Sequence, residues 1–155
     1  GVVVQNAVVA LVAGGEQRWH SVKAGLEKVG HDGLVAVHDG VRPLVSTDLI
    51  TRCFAAADEK AAAIPVEPVV PSIRETTADG SRALDRSRLV AVQTPQCFHA
   101  DLLRKAFEQT YESTFTDEAR LVERMGVKVA LVEGEANNIK VTTAADMRLV
   151  EMLLG

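Results

Sequence analysis

Several stretches of the chain place phosphate- or cation-handling groups at the ends of apolar runs. His38-Asp39-Gly40-Val41-Arg42-Pro43 follows the run that begins at Leu34. A carboxylate where a strand opens into a crevice suits Mg2+, which takes one or two carboxylates plus substrate phosphates. Arg42, three residues on, can fork to a phosphate. His38 reads as a packed strand-end residue rather than a base. Gly14-Gly15-Glu16-Gln17-Arg18-Trp19-His20-Ser21 follows another apolar run. Its glycines let the backbone approach a ligand, the helix behind them presents free N–H groups, and Ser21 adds a hydroxyl. In Gln93-Thr94-Pro95-Gln96, Pro95 holds Thr94 extended and the hydroxyl sits at a sheet edge. Lys140 falls inside the stretch Asn138 to Thr142, which reads as a strand. A lysine there is costly to bury without an anion. Residues 68–88 carry Ser72, Arg74, Arg82, Arg86 and Arg88, an anion-binding patch in a chain of net charge −4. Each feature alone also has a structural reading: a tight turn, a surface ion pair, a solvated charged face. Together, cations (Arg42, Arg86, Lys140), a carboxylate (Asp39), hydroxyls (Ser21, Ser72, Thr94) and a Gly-rich turn suit two phosphorylated groups around Mg2+. There is no Ser–His–Asp order, no zinc spacing, no GxGxxG and no GxxxxGK[ST]. Phosphoryl or nucleotidyl transfer, which needs positioning and charge neutralisation more than covalent chemistry, fits this set.

Hydrophobic periodicity supplies the elements that must position these groups. Strands are predicted at Asn6 to Ala13, Leu34 to His38, Ala61 to Val66, Leu89 to Gln93, Val127 to Val132 and Asn138 to Thr142. Helices are predicted at Arg18 to Val29, after a Ser46 or Thr47 cap, at Asp101 to Thr110, at Thr116 to Met125, and from a Thr143/Asp146 capping box to Leu154. Residues 68–88, with Pro68, Pro71 and the turn dipeptide Asp79-Gly80, break the alternation and read as a hairpin arm. The expected fold is α/β: one Rossmann-like domain over residues 1–155, with a mostly parallel sheet covered by helices on both faces. A lone hairpin is marginally stable, so the arm is expected to meet a neighbouring subunit.

With 155 residues, 47% hydrophobic and 25% charged, the chain is long enough for a single core. Disorder, collagen and a disulfide scaffold are excluded. The acidic balance argues against a nucleic-acid or anionic-membrane binder. No apolar stretch reaches membrane-span length and no signal peptide is apparent. Cys53 and Cys97 match no metal or CxxC spacing and read as reduced thiols of a cytoplasmic protein.

The stretches GGEQRWHSVKAGL, VAVHDGVRP, AAIPV, ALDRSRLVAVQTPQCF, FTDEA and EGEANNIKVTTAADM, in that order, resemble the 2-C-methyl-D-erythritol 4-phosphate cytidylyltransferase family. Each is weak alone; six in register over nearly the whole chain are specific. The resemblance implies a nucleotidyltransferase-like fold with an arm exchanged in a homodimer. It implies Mg2+-dependent transfer of a cytidylyl group from CTP to methylerythritol phosphate, releasing pyrophosphate, in bacterial isoprenoid biosynthesis. Gly15, Glu16 and Ser21 would lie by cytosine and ribose. Asp39 would hold Mg2+ and, with Gly40 and Arg42, face the phosphates, while Thr94 and Lys140 line the reacting groups. Ser72, where the family more usually has Thr, and Arg86 would reach the acceptor phosphate from a partner's arm. Pro71 stands where the family has Asp. The family also begins with a strand and a Gly-rich loop bearing Arg and Lys. Nothing of that kind precedes Gly14, so this chain alone is not expected to turn over. Two alternatives remain at this point: a pentitol (ribitol) phosphate cytidylyltransferase, and a non-catalytic dimerising domain that binds a phosphorylated ligand.

Overall fold

Residues 10–155 are described by a computed structural model. The chain order is α1 (Arg18–Leu26), β1 (Leu34–Val37), α2 (Thr47–Lys60), β2 (Ala62–Pro68), β3 (Ile73–Thr77), β4 (Gly80–Leu84), a 3-10 turn (Arg86–Arg88), β5 (Val90–Val92), β6 (Gln96–His99), α3 (Ala100–Ala106), α4 (Glu118–Glu123), β7 (Ala130–Glu133) and α5 (Ala144–Leu154).

The apolar runs are continuous because the sheet is covered on both faces. Side chains alternate across β1, β6 and β2, so Val35, Phe98 and Ala62 share one face while Ala36, Cys97 and Ala63 share the other. The first face packs against Trp19 and Leu26 of α1, Leu103 of α3, and Leu121 and Val122 of α4. The second packs against Leu49, Cys53 and Ala57 of α2. Helix α2 begins where the Ser46 hydroxyl accepts from the Leu49 amide at 2.9 Å. Cys53 and Cys97 are free and fully buried on this face, brought together although 44 positions apart in sequence. Its hydrogen bond to Cys53, with burial, pushes the Cys97 thiol up.

The α/β class, the helices on both faces and the protruding arm stand as expected. The strand directions are mixed: β1–β6, β6–β2 and β2–β5 are antiparallel, and only β2–β7 is parallel among the described residues. The departure from a mostly parallel sheet has a local cause. The β5–β6 segment is one interrupted strand running back along a single edge of β2. His99 N–H donates to the Ala61 carbonyl and Gln93 N–H to the Pro65 carbonyl, residues of like parity, whereas Gly134 N–H donates to Val66 on the opposite edge. Between the pairs Ala63–Cys97 and Val66–Val92, β2 has two residues and its partner has four. The surplus is a bulge holding Gln93, Thr94 and a cis-linked Pro95. Thr94 is therefore buried in mid-sheet and not at an edge.

Other expectations are corrected in detail. Residues 10–13 form no strand; the rest of the run Asn6 to Ala13 lies outside the described residues. The segment Leu89 to Gln93 is not a core strand, since Val90 and Val92 of β5 are exposed. Asn138 to Thr142 is not a strand, because its backbone groups are used elsewhere: Val141 N–H donates to the Val41 carbonyl, and the Asn138 carbonyl accepts from Arg42. The arm is a true hairpin, with Thr77 paired to Gly80 at a φ of 135° that favours glycine. Two of its four arginines are taken up within the hairpin. Arg74 is spent on Ser81 and Arg82 on Glu75 across the two strands.

At the C-terminal helix the capping box forms as predicted: the Thr143 hydroxyl accepts from the Asp146 amide at 3.2 Å, and the Asp146 carboxylate accepts from the Thr143 amide at 2.8 Å. These backbone and hydroxyl donors hold Asp146 at about 2, below its ordinary 3.8. The carboxylate thus stabilises α5 at pH above its ordinary value and ceases to do so as pH falls through about 2. Thr143→Ala is expected to cost about 1 kcal/mol. Its thermal-melt difference from the parent at neutral pH should shrink on acidification toward pH 2; a constant difference would remove Asp146 from the cap.

Candidate functional site

The turn after β1 and the bulge between β5 and β6 meet over the loop that precedes α5. They enclose a crevice of about 190 Å3 lined by Arg18, Asp39, Arg42, Gln93, Thr94 and Lys140, among others. Asp39 is the centre. One carboxylate oxygen faces Arg18 Nε at 3.4 Å; the other faces Arg42 Nε at 3.4 Å and Lys140 Nζ at 3.2 Å. Burial alone would raise the Asp39 carboxyl, but Lys140, Arg18 and Arg42 outweigh it and hold it below the usual carboxylate range.

The backbone beneath is fixed by one hydrogen-bonded chain. Asp39 N–H donates to Thr94 Oγ1 at 3.1 Å, and Thr94 Oγ1 lies 2.9 Å from His38 Nδ1. His38 Nε2 lies 3.0 Å from the Arg42 carbonyl. A carbonyl only accepts, so His38 donates through Nε2, and its Nδ1 meets the Thr94 hydroxyl. His38 is thus a positioning residue with both nitrogens occupied; it lies exposed just past the end of β1, so it is not the packed strand-end residue expected.

On the far side, the fully buried Asn138 donates from Nδ2 to the Thr94 carbonyl at 2.8 Å and to Gln93 Oε1 at 3.2 Å. Gln93 in turn donates to Glu67 Oε2 and the Glu135 carbonyl. Arg42 Nη1 donates to the Asn138 carbonyl at 2.7 Å, which ties the two loops together. Lys140 is reached through this loop. It is half-exposed and not inside a strand, so strand burial is not what demands its anion partner, although Asp39 is that partner.

Asp39, Arg42, Thr94 and Lys140, predicted together, are together. Gly15 and Glu16 are on the exposed approach to α1 and Ser21 is in its first turn; none of them lines the crevice, although Arg18 of the same segment does. Gly15 N–H donates to Ser21 Oγ at 3.0 Å. A Cβ on Gly15 would come within 2.3 Å of His20 Cβ, so glycine is required there by close approach. Gly40, by contrast, has open space around it. Ser72 and Arg86 lie at the exposed base of the arm, where Arg86 donates to the Val70 carbonyl, and neither lines the crevice of its own chain. Gly15→Ala is expected to break the Gly15–Ser21 bond. Hydrogen exchange should then lose protection at Gly15 with the core amides unchanged; full retention would show the turn adapts freely.

Arg18, Glu118, Gln93 and Asn138 belong to the site and escaped the sequence reading. Arg18 had a legible signal, a cation in the first turn after paired glycines. Glu118 had one too: it shares a helical face with Leu121 and Val122, so a carboxylate sits on an apolar stripe. The buried amides carried no signal.

The set is a hard-cation and phosphate set. Among the described residues no three His, Cys, Asp or Glu side chains form a metal-holding group. One carboxylate amid three cations fits a divalent ion that arrives with phosphates and takes most of its oxygen ligands from them and from water.

Residues 2–155 match the family described as IspD: 2-C-methyl-D-erythritol 4-phosphate cytidylyltransferase. The chain belongs to this family. It is 51% identical over 141 residues to the 2-C-methyl-D-erythritol 4-phosphate cytidylyltransferase of Bacteroides fragilis, covering 91% of this chain and 64% of the relative. It is 41% identical to the enzyme of that name from Syntrophus aciditrophicus, covering 93% of this chain and 64% of the relative. Superposition on the crystal structure of the Thermus thermophilus enzyme gives a TM-score of 0.82 at 40% identity, over 91% of this chain and 71% of that one. The bifunctional IspDF of Campylobacter jejuni superposes with a TM-score of 0.76 at 35% identity, over 88% of this chain and 35% of that one. This member of the IspD family thus spans about 64% of the length of its Bacteroides fragilis relative. No helix among the described residues is long and apolar enough to cross a membrane.

Proposed function

We propose that the protein carrying this chain transfers a cytidylyl group from CTP to 2-C-methyl-D-erythritol 4-phosphate, releasing pyrophosphate. The observation that carries it is the Asp39 carboxylate set amid Arg18, Arg42 and Lys140 in one crevice. Two polyanions repel, and three cations converging within a few ångströms offset that repulsion where the reactants must meet.

A phosphate oxygen of the acceptor attacks the α-phosphorus of CTP. The new O–P bond forms as the bridge to the β-phosphate breaks, and pyrophosphate carries away the electron pair. The acceptor phosphate is already ionised, so no general base is required. Arg42 and Lys140 draw the phosphates together and orient them in line. The Thr94 hydroxyl fixes the Asp39 backbone. Asp39 would hold Mg2+, which when bound supplies further charge neutralisation. Gly15, Glu16 and Ser21 would border the nucleoside, and Gly40 the phosphates. The exposed arm supports a homodimer in which Ser72 and Arg86 of a second copy reach the acceptor phosphate. A cytoplasmic location is part of the same proposal.

The test is pyrophosphate release by the full-length protein with CTP, Mg2+ and either methylerythritol phosphate or ribitol 5-phosphate. Release with the first acceptor is expected. Release with neither, or faster with the second, would overturn the reading.

A further inference from the structure

Glu118 is the first residue of α4 and is 1% exposed, yet it is a carboxylate. Burial pushes its carboxyl up, and the Arg18 guanidinium only partly offsets this. Its Oε1 accepts from Arg18 Nη1 at 2.5 Å, and its Oε2 has no partner among the described residues. Removing a carboxylate from water to bind one surface-facing arginine is a poor source of stability. The arrangement makes sense through what Arg18 touches next.

Arg18 is shared unequally, at 2.5 Å from Glu118 and 3.4 Å from Asp39. Arg42 repeats the pattern, at 2.7 Å from the Asn138 carbonyl and 3.4 Å from Asp39. Both guanidinium groups are anchored elsewhere and meet Asp39 only loosely. A free arginine beside a carboxylate would close into a tight forked pair. We propose that Glu118 is a positioning residue that holds the Arg18 guanidinium off Asp39, so that the Asp39 carboxylate can exchange its protein contacts for an incoming divalent cation and phosphate. The anchor also keeps Arg18 in the crevice, ready to take a phosphate oxygen once Asp39 turns to the cation. This rests on the proposed role of Asp39.

Mn2+ is the probe, titrated into the full-length protein with CTP and followed by electron paramagnetic resonance. Glu118→Gln is expected to weaken Mn2+ binding about fivefold or more, because Arg18 then closes on Asp39. In an Arg18→Met background the same change should cost less than twofold. A merely structural Glu118 would give no such dependence on Arg18. Equal losses in both backgrounds, or no loss in either, overturn the proposal. Should Glu118→Gln fail to fold by circular dichroism, Glu118→Asp draws the acceptor back by one methylene and should show a smaller loss that again vanishes without Arg18; no loss overturns it. No Mn2+ binding by the wild type overturns the Asp39 reading as well, which separates the two failures.

Discussion

Asp39→Asn is expected to remove nearly all cytidylyl transfer from the full-length protein, by a factor of about 10^3 or more, while leaving the fold intact. The size reflects what the carboxylate does. It is the described carboxylate that faces all of Arg18, Arg42 and Lys140, and its loss removes both the proposed cation ligand and the charge these three groups share. A single misplaced electrostatic contact at a reacting phosphate costs about 10^2–10^3 in rate; here the contact organises three others. The fold is expected to survive because the structural work at this position belongs to the backbone. The amide of residue 39 donates to Thr94, and residue 39's carbonyl accepts from the Arg42 amide at 3.0 Å. Arg18 and Arg42 keep their outer anchors on Glu118 and the Asn138 carbonyl. Pyrophosphate release, with melting temperature in parallel, decides the matter. Turnover within tenfold of wild type would show that Asp39 is not the organising group. Lost turnover with a collapsed melting temperature would place its importance in stability.

The sequence disclosed the site where a chemical type coincided with a strand end, and missed it where the chain bends. Asp39 and Arg42 were legible because β1 is a short apolar run with a clear stop, and residues just past a strand's carboxyl end in an α/β sheet face the crevice. Thr94 was found for an incomplete reason. Its hydroxyl matters because a two-residue bulge buries it under Asp39, and nothing in QTPQ distinguishes a bulge within one interrupted strand from a turn between two. That ambiguity also hid the antiparallel course of β6, since strand–helix alternation is silent on direction once one strand doubles back. Lys140 was singled out as a lysine inside an apolar strand; it is half-exposed on a loop, and Asp39 is the kind of anion partner such a lysine was expected to have. Val141 and Thr142 look like strand residues, but the loop's backbone groups are taken by Val41 and Arg42, and that competition is tertiary. The cross-strand pairing that takes up Arg74 and Arg82 depends on hairpin register, which the sequence does not display.

Asn138→Leu is expected to destabilise the chain by about 2–3 kcal/mol, because it strips a buried hydrogen-bonded hub and leaves a buried carbonyl unpaired. Asn138 is fully buried, and its Nδ2 satisfies the Thr94 carbonyl and shares Gln93 Oε1 with the Glu135 amide. Gln93 keeps the Glu135 donor when the amide is removed; the Thr94 carbonyl loses its bond, in a bulge that has no ladder partner to replace it. At this chain length that loss corresponds to a fall of about 5–10 °C in melting temperature. The near-isosteric Asn138→Asp should be worse, since a carboxylate would face two acceptors in a place without water. The functional loss should exceed the stability loss in either variant. The carbonyl of residue 138 anchors Arg42 and Lys140 lies two residues on, so a shift of this loop by about 1 Å moves two of the three cations together, enough for roughly a 10^2-fold loss. Thermal melts and pyrophosphate release below the new melting temperature separate the two effects. A melting temperature within about 1 °C of wild type for Asn138→Leu would show that water or a neighbour replaces the amide. Unchanged turnover at the lower temperature would mean that the loop carrying Lys140 is held by something other than Asn138.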